Sequence, residues 1–181
     1  MAVIPITQYG DRILREKAKK IKNVDDKIIT LIRDMFETMR KANGVGLAAN
    51  QVGNGNSLFT IDLTGVEGCE KIKPLVMINP EIIASSDELV TIEEGCLSLP
   101  NLRADVDRPE KIQIKYIDTD EKEVIIEADD FLARVIQHEY DHLQGKMIPD
   151  RVESYEKNKM KNELMRIMKR EVEVNYPITD R

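Results

Sequence analysis

The sequence predicts an α+β fold, and three features carry that expectation. Apolar residues recur at helical spacing in three separate segments, short β-branched runs divided by turns lie between the first two, and both histidines fall inside the middle helical segment. Mostly antiparallel sheets are therefore expected around a central His-Glu-x-x-His helix, with an N-terminal helix before it and a C-terminal helix after it.

Composition narrows the class. The 181 residues are enough for one domain with a proper core. A formal net charge of −6, with 33% charged and 41% hydrophobic residues, describes a soluble globular chain and argues against a surface that coats DNA or other nucleic acid. No basic region followed by a long apolar run opens the chain, and no stretch approaches the roughly 20 apolar residues of a membrane span, so a cytoplasmic protein without membrane contact is expected. In that setting Cys69 and Cys96 are better read as metal-binding or catalytic than as a disulfide. No repeat, low-complexity segment or linker interrupts residues 1–181, which read as a single domain.

In chain order, residues 1–23 read as an irregular arm containing Pro5, Gly10 and a solvated basic run at 17–20. From Asp25 the residues Ile28, Ile29, Leu31, Ile32, Met35, Phe36 and Met39 predict a core helix over 25–42, with an Asp cap before it and Asn43-Gly44 after. Gly44 to Gln51, with two glycines flanking Val45, permits close backbone approach and reads as a tight helix-to-strand turn. Strands are expected at 57–63, at 75–78 ending on Asn79-Pro80, and at 90–92. A hairpin of 111–117 and 123–128 then delivers the chain into the histidine helix. Residues 151–173 predict an amphipathic C-terminal helix with a narrow stripe of Met160, Leu164, Ile167 and Met168, and residues 174–181 a loose tail. That helix carries seven basic against five acidic residues; packing on its own domain is the expected role, and contact with the ribosome the second one.

The chemistry centres on Gln137-His138-Glu139-Tyr140-Asp141-His142. Histidines four apart lie one above the other on one helix face, so both can ligate a single metal ion while Glu139 sits beside a metal-bound water. On a helical wheel Phe131, Arg134 and Val135 flank the histidines, Leu132, Ile136 and Leu143 form the core stripe, and Ala133, Gln137, Asp141 and Gln144 form a polar back. The ligands thus border an apolar face, where a pocket belongs. A catalytic metal usually has three protein ligands, so one is missing, and a cysteine or carboxylate must supply it. Glu-Gly-Cys occurs at both 67–69 and 94–96; Cys69 lies in a charged loop, whereas Cys96 ends a strand-like run before Leu97-Ser98-Leu99-Pro100 and is the better enclosed candidate.

Gly44-Val45-Gly46-Leu47-Ala48-Ala49-Asn50-Gln51, Glu94-Gly95-Cys96-Leu97-Ser98 and Gln137-His138-Glu139-Tyr140-Asp141-His142, in that order, resemble the three signature motifs of the peptide deformylases. The resemblance implies removal of the formyl group from the N-terminal formylmethionine of nascent polypeptides, with release of formate. It implies Cys96, His138 and His142 as ligands of one divalent ion, ferrous iron in the cell with zinc, nickel or cobalt able to substitute. Glu139 is implied as general base and acid, and the Gln51 amide and Leu97 backbone N–H as donors to the oxyanion. Substrate is expected to lie along the Val45, Gly46 and Gly95 backbone like an added strand. Its methionine would enter a pocket lined by Val45, Ile92, Phe131 and Val135 with Glu94 near the wall, and Arg103 would stand near the cleft. Arg134 is expected to line the pocket with its stem while its guanidinium reaches the mouth, toward Glu94. Two rivals remain: a zincin-type metallopeptidase, which would need a third His or carboxylate where no further histidine exists and Cys96 stands in its motif, and a non-catalytic binding module, which has no use for Glu139 or Gln51.

Overall fold

The computed structural model describes residues 1–180. Helix α1 (Asp26–Lys41) begins where the sequence places it, because the Asp25 carboxylate accepts the Ile28 N–H at 3.0 Å and caps the first turn. Seven strands follow: β1 (Gly46–Ala48), β2 (Leu58–Ile61), β3 (Leu75–Ser85), β4 (Leu89–Cys96), β5 (Leu99–Pro109), β6 (Ile112–Ile117) and β7 (Glu123–Ala128). Helices α2 (Asp130–Leu143) and α3 (Ser154–Met168) complete the order. Every strand pairing is antiparallel; β1-β2-β3-β6-β7 form one sheet, and β4-β5 stand apart as a long hairpin.

α2 is the centre of this arrangement. Its Ala133, Ile136 and Leu143 join Phe59, Ile61, Met77 and Ile114 of the large sheet in one apolar cluster. Its other side is covered by the β4-β5 hairpin, so Gln137 and Asp141 of the expected polar back are buried instead of solvated, while Ala133 packs into the apolar cluster. Burial of those polar groups is made tolerable by β5: Gln137 Nε2 donates to the Pro109 carbonyl at 2.9 Å, and Asp141 accepts from Arg108 at 2.7 Å. A helical wheel sees one helix at a time and cannot show a second layer arriving from elsewhere.

Two other strand expectations need correcting. The strand expected to stop at Asn79-Pro80 continues to Ser85, because Asn79 adopts a positive φ of 50° and the β3-β6 register slips between Ile78 and Glu81, making a bulge where a stop was expected. Both Asn79 amide atoms are bound by the Ile21 backbone at 2.8 Å, which offsets the ladder bonds lost there. β5 was not anticipated: Leu102, Ala104, Val106 and Arg108 alternate inward, but an arginine in that row and proline at both ends mask the period.

α3 packs as its stripe predicts, with Met160, Leu164 and Ile167 set against Leu99, Leu102 and Val106 of β5 and Leu14 of the N-terminal arm. The chain after it is not loose. Ile6 and Ile178 form a parallel bridge, Ile6 N–H donates to the Pro177 carbonyl at 2.9 Å, and Thr179 N–H returns to Ile6 at 3.1 Å. Asp11 fastens the same join, accepting from Arg170 at 2.6 Å and from the Thr179 hydroxyl at 2.7 Å. Arg181 lies outside the described residues. None of the described helices is long and apolar enough to cross a membrane.

Truncating the stripe tests the packing role of α3. Leu164→Ala removes a side chain buried to 6% exposure and is expected to lower the unfolding free energy by about 2 to 4 kcal/mol in urea denaturation. No loss would mean that α3 is not part of the core.

Candidate metal centre and active site

Three donor atoms converge. His138 and His142, one turn apart on α2, bring their Nε2 atoms to 3.2 Å of each other, and Cys96 Sγ lies 3.2 Å from His142 Nε2. All the donor atoms of this trio fall within 4.8 Å of one another. Cys96 reaches the site because the β4-β5 register slips between Gly95 and Cys96, turning the chain out of the ladder at the thiol. A tetrahedral ion bound at about 2.0 to 2.3 Å would hold such donors about 3.3 to 3.6 Å apart, so the residues fit a divalent metal. Cys69, the other candidate, is buried in the apolar cluster under the large sheet and is no part of the group.

The tautomer of His138 is set from behind. Its Nδ1 lies 2.9 Å from Glu94 Oε2, which leaves the lone pair on Nε2 facing the other donors. Glu94 is itself clasped: Arg108 donates from Nε at 2.6 Å and from Nη2 at 3.0 Å, and Arg134 Nη1 donates at 2.9 Å. Arg108 also donates to Asp141 at 2.7 Å, and Arg151 closes the row from the far side. Burial alone would raise the Glu94 pKa, but bonds from His138 and Arg108 outweigh it and hold the carboxyl well below its ordinary range.

Glu139 is treated in the opposite way. It is 4% exposed, its Oε2 has no hydrogen-bond partner, and burial, helped by the charge of Glu94, pushes its pKa up to about 7 in the metal-free protein. Gly46 runs directly over this carboxylate; a Cβ there would collide with Glu139 Oε1, which explains a glycine at that place.

Gln51 stands in a 3-10 turn (Ala49–Val52) after β1. Its Oε1 accepts the Ala48 N–H at 2.9 Å, so its Nε2 is turned inward, 3.2 Å from Ser98 Oγ and 3.5 Å from Cys96 Sγ. Leu97 occupies the turn between β4 and β5, its side chain packed into the α1 cluster. Its carbonyl accepts the Tyr176 hydroxyl at 2.8 Å, and burial pushes that phenol up to about 12, so it remains a donor.

A cleft of about 920 Å³ opens onto these groups. Val45, Gly46, Glu94, Gly95 and Arg103 line it together with Phe131, Arg134 and Val135 of α2. Ile92 lies instead in an adjoining recess of about 140 Å³, shared with Phe131 and Arg134. Arg103 is at the rim, 3.7 Å from Glu93 and 67% exposed. The expectation for Arg134 is half right: it binds Glu94, but its guanidinium is buried and also donates to the Val106 carbonyl at 2.7 Å and to that of Val90, so it does not reach the mouth.

The family described as polypeptide deformylase matches residues 3–158. The chain belongs to that family. It is 46% identical over 176 residues to a peptide deformylase of Chlorobium phaeobacteroides (strain BS1), covering 97% of this chain and 95% of the relative. A peptide deformylase of Brachyspira hyodysenteriae is 48% identical over 157 residues, covering 86% and 84%. Among solved structures, a peptide deformylase from Legionella pneumophila superposes with a TM-score of 0.85 at 36% identity, covering 94% of this chain and 98% of that one.

Sequence reasoning missed Arg108, the ionic role of Asp141, and the tail. Arg108 had one legible signal, its place in the inward row of β5; Tyr176 had none, being separated from Leu97 by nearly half the chain.

The raised pKa of Glu139 has a definite thermodynamic sign. A carboxyl whose folded pKa of about 7 exceeds the ordinary 4.5 adds stability below pH 4.5 and loses it as pH rises through 7. Metal-free Glu139→Gln is therefore expected to exceed the metal-free wild type by about 2 to 3 kcal/mol at pH 8, the gain shrinking toward pH 5. Urea unfolding at the two pH values measures this, and an equal gain at both would refute it.

Proposed function

We propose that this chain performs the reaction of its family, hydrolysis of the N-formyl group from the N-terminal formylmethionine of nascent polypeptides with release of formate, using the following residues. The observation that carries the reading is the convergence of Cys96, His138 and His142 beside an unpartnered, buried Glu139. A non-catalytic site gains nothing from a carboxylate kept uncomfortable in this way. The Cys-His-His set also separates the chain from a zincin-type peptidase.

Cys96, His138 and His142 would hold one divalent ion. When bound, such an ion lowers the pKa of a water toward neutrality and polarises a carbonyl oxygen. Glu139 accepts a proton from the attacking water and delivers it to the amine nitrogen as the C–N bond breaks, which balances the hydrolysis. Gln51 Nε2 and Leu97 N–H donate to the oxygen that becomes negative, a task a glutamine performs and an ionised glutamate cannot. Val45, Gly46 and Gly95 offer backbone groups to the peptide. Phe131, Val135 and the Arg134 stem bound the methionine pocket, with Glu94 at its wall and Ile92 behind; Arg103 meets the peptide farther along.

Ferrous iron is the proposed ion in the cell, with zinc, nickel or cobalt as substitutes, and the cytoplasm, where nascent chains are made, the proposed location. The exposed Lys157, Lys161 and Arg166 of α3 support ribosome contact in addition to packing. Failure to co-sediment with ribosomes would remove that part.

Protein purified without oxygen and loaded with ferrous iron or nickel is expected to release formate from a formyl-methionyl tripeptide. Glu139→Ala should abolish release while retaining one metal per chain, and Gln51→Leu should lower kcat by about 10² to 10³. One bound metal with no formate from the wild type would favour a binding module. Arg134→Leu should raise KM while kcat stays within about tenfold; a fall of orders of magnitude in kcat alone would give Arg134 a part in the chemistry.

A further inference from the structure

The C-terminal tail borders the active-site cleft. Residues 173–176 are among its lining, and Asn101 Nδ2 reaches the Glu173 carbonyl at 3.5 Å. From this border Tyr176 sends its hydroxyl to the Leu97 carbonyl. The turn holding Leu97 leaves the regular ladder: it follows the slip between Gly95 and Cys96, and its paired residues jump from Gly95 with Arg103 to Cys96 with Leu99.

Backbone carbonyls of this turn are instead held by the two ends of the chain. Leu97 O accepts from Tyr176 at 2.8 Å and from Gln8 Nε2 at 3.3 Å, and Ser98 O accepts the Tyr9 N–H at 3.0 Å. The two ends are joined to each other by the Ile6-Ile178 bridge and by Asp11, Arg170 and Thr179. We propose that Tyr176 is a positioning residue for deformylation: its hydroxyl fixes the Leu97–Ser98 peptide, and with it the direction of the Leu97 N–H one peptide earlier. The inference rests on the role given to Leu97 above. Adjacent peptide planes share the Leu97 φ and ψ, so freeing one carbonyl loosens the neighbouring N–H. A donor preorganised for a developing charge loses much of its effect when its aim is lost.

Tyr176→Phe removes the hydroxyl and leaves the ring. Losing an oxyanion donor outright costs about 10² to 10³ in rate, so misaiming one should lower kcat by roughly 5- to 20-fold. KM should stay within about twofold and the melting temperature within a few degrees, because only one partly buried hydrogen bond is lost. The Leu97 amide, followed by NMR, should exchange faster with solvent in the variant. Thr179→Val, which loosens the join from a distance, should shift kcat and Leu97 exchange in the same direction by a smaller factor. A kcat for Tyr176→Phe within twofold of wild type, or a loss accounted for by the unfolded fraction at the assay temperature, would overturn the proposal. No formate from the wild type would instead defeat the functional reading beneath it.

Discussion

The buried carboxylate of Glu94 is the interaction on which the rest of the site depends. It joins the β4-β5 hairpin to α2 by accepting from Arg108, Arg134 and His138 together. An isolated charge at 5% exposure would be prohibitively costly, and only a complete set of partners makes it tolerable. The set extends through Arg108 to Asp141 and Arg151, so two carboxylates face three guanidinium groups along α2. Ionic pairing of this kind does more for geometry than for stability: it fixes which nitrogen of His138 is free to bind a metal, and at what angle.

Glu94 and Glu139 are both buried within one site, yet their titrations are pushed apart. Glu94 is surrounded by donors and stays ionised, whereas Glu139 lacks a partner for one oxygen and is pushed toward neutrality. That difference divides a structural anion from a group able to pick up and release a proton near neutral pH. The discomfort of Glu139 is sustained by its surroundings: α2 holds it from below, and Gly46 passes so close above that only a residue without a side chain fits.

Helix α2 carries the histidines and Glu139, and Cys96 ends β4, but Gln51 and Leu97, the proposed oxyanion donors, sit on turns. A turn is as well defined as what grips it. Gln51 is held by the Ala48 N–H inside its own turn, a local solution. Leu97 is held by groups contributed by residues 8 and 176, a remote solution that ties this turn to the closing of the two chain ends. The apolar cluster that seats α3 on β5 also contains Leu99, two residues beyond Leu97 in the same segment. Packing of the last helix and order at the turn are thereby connected.

Local chemistry made much of this legible from sequence. The i, i+4 histidines, the Asp25 cap, the β6-β7 hairpin and the α3 stripe each depend on residues close along the chain, where helix and strand periodicity operate. The choice of Cys96 over Cys69 was legible for a similar reason, since its neighbours are apolar. Tertiary structure alone decided that Asp141 and Gln137 are buried, that Arg134 turns inward to two strand carbonyls, that Asn79-Pro80 bends a strand without ending it, and that the tail returns to the cleft. In each case a partner distant in sequence supplies what the residue needs: a counter-charge from β5, a backbone clasp from Ile21, a carbonyl at Leu97. The amino-acid order determined which groups could do chemistry. The meeting of chain segments decided which were dry, paired and aimed, because desolvation and hydrogen-bond satisfaction depend on everything that surrounds a group and not on its neighbours in sequence.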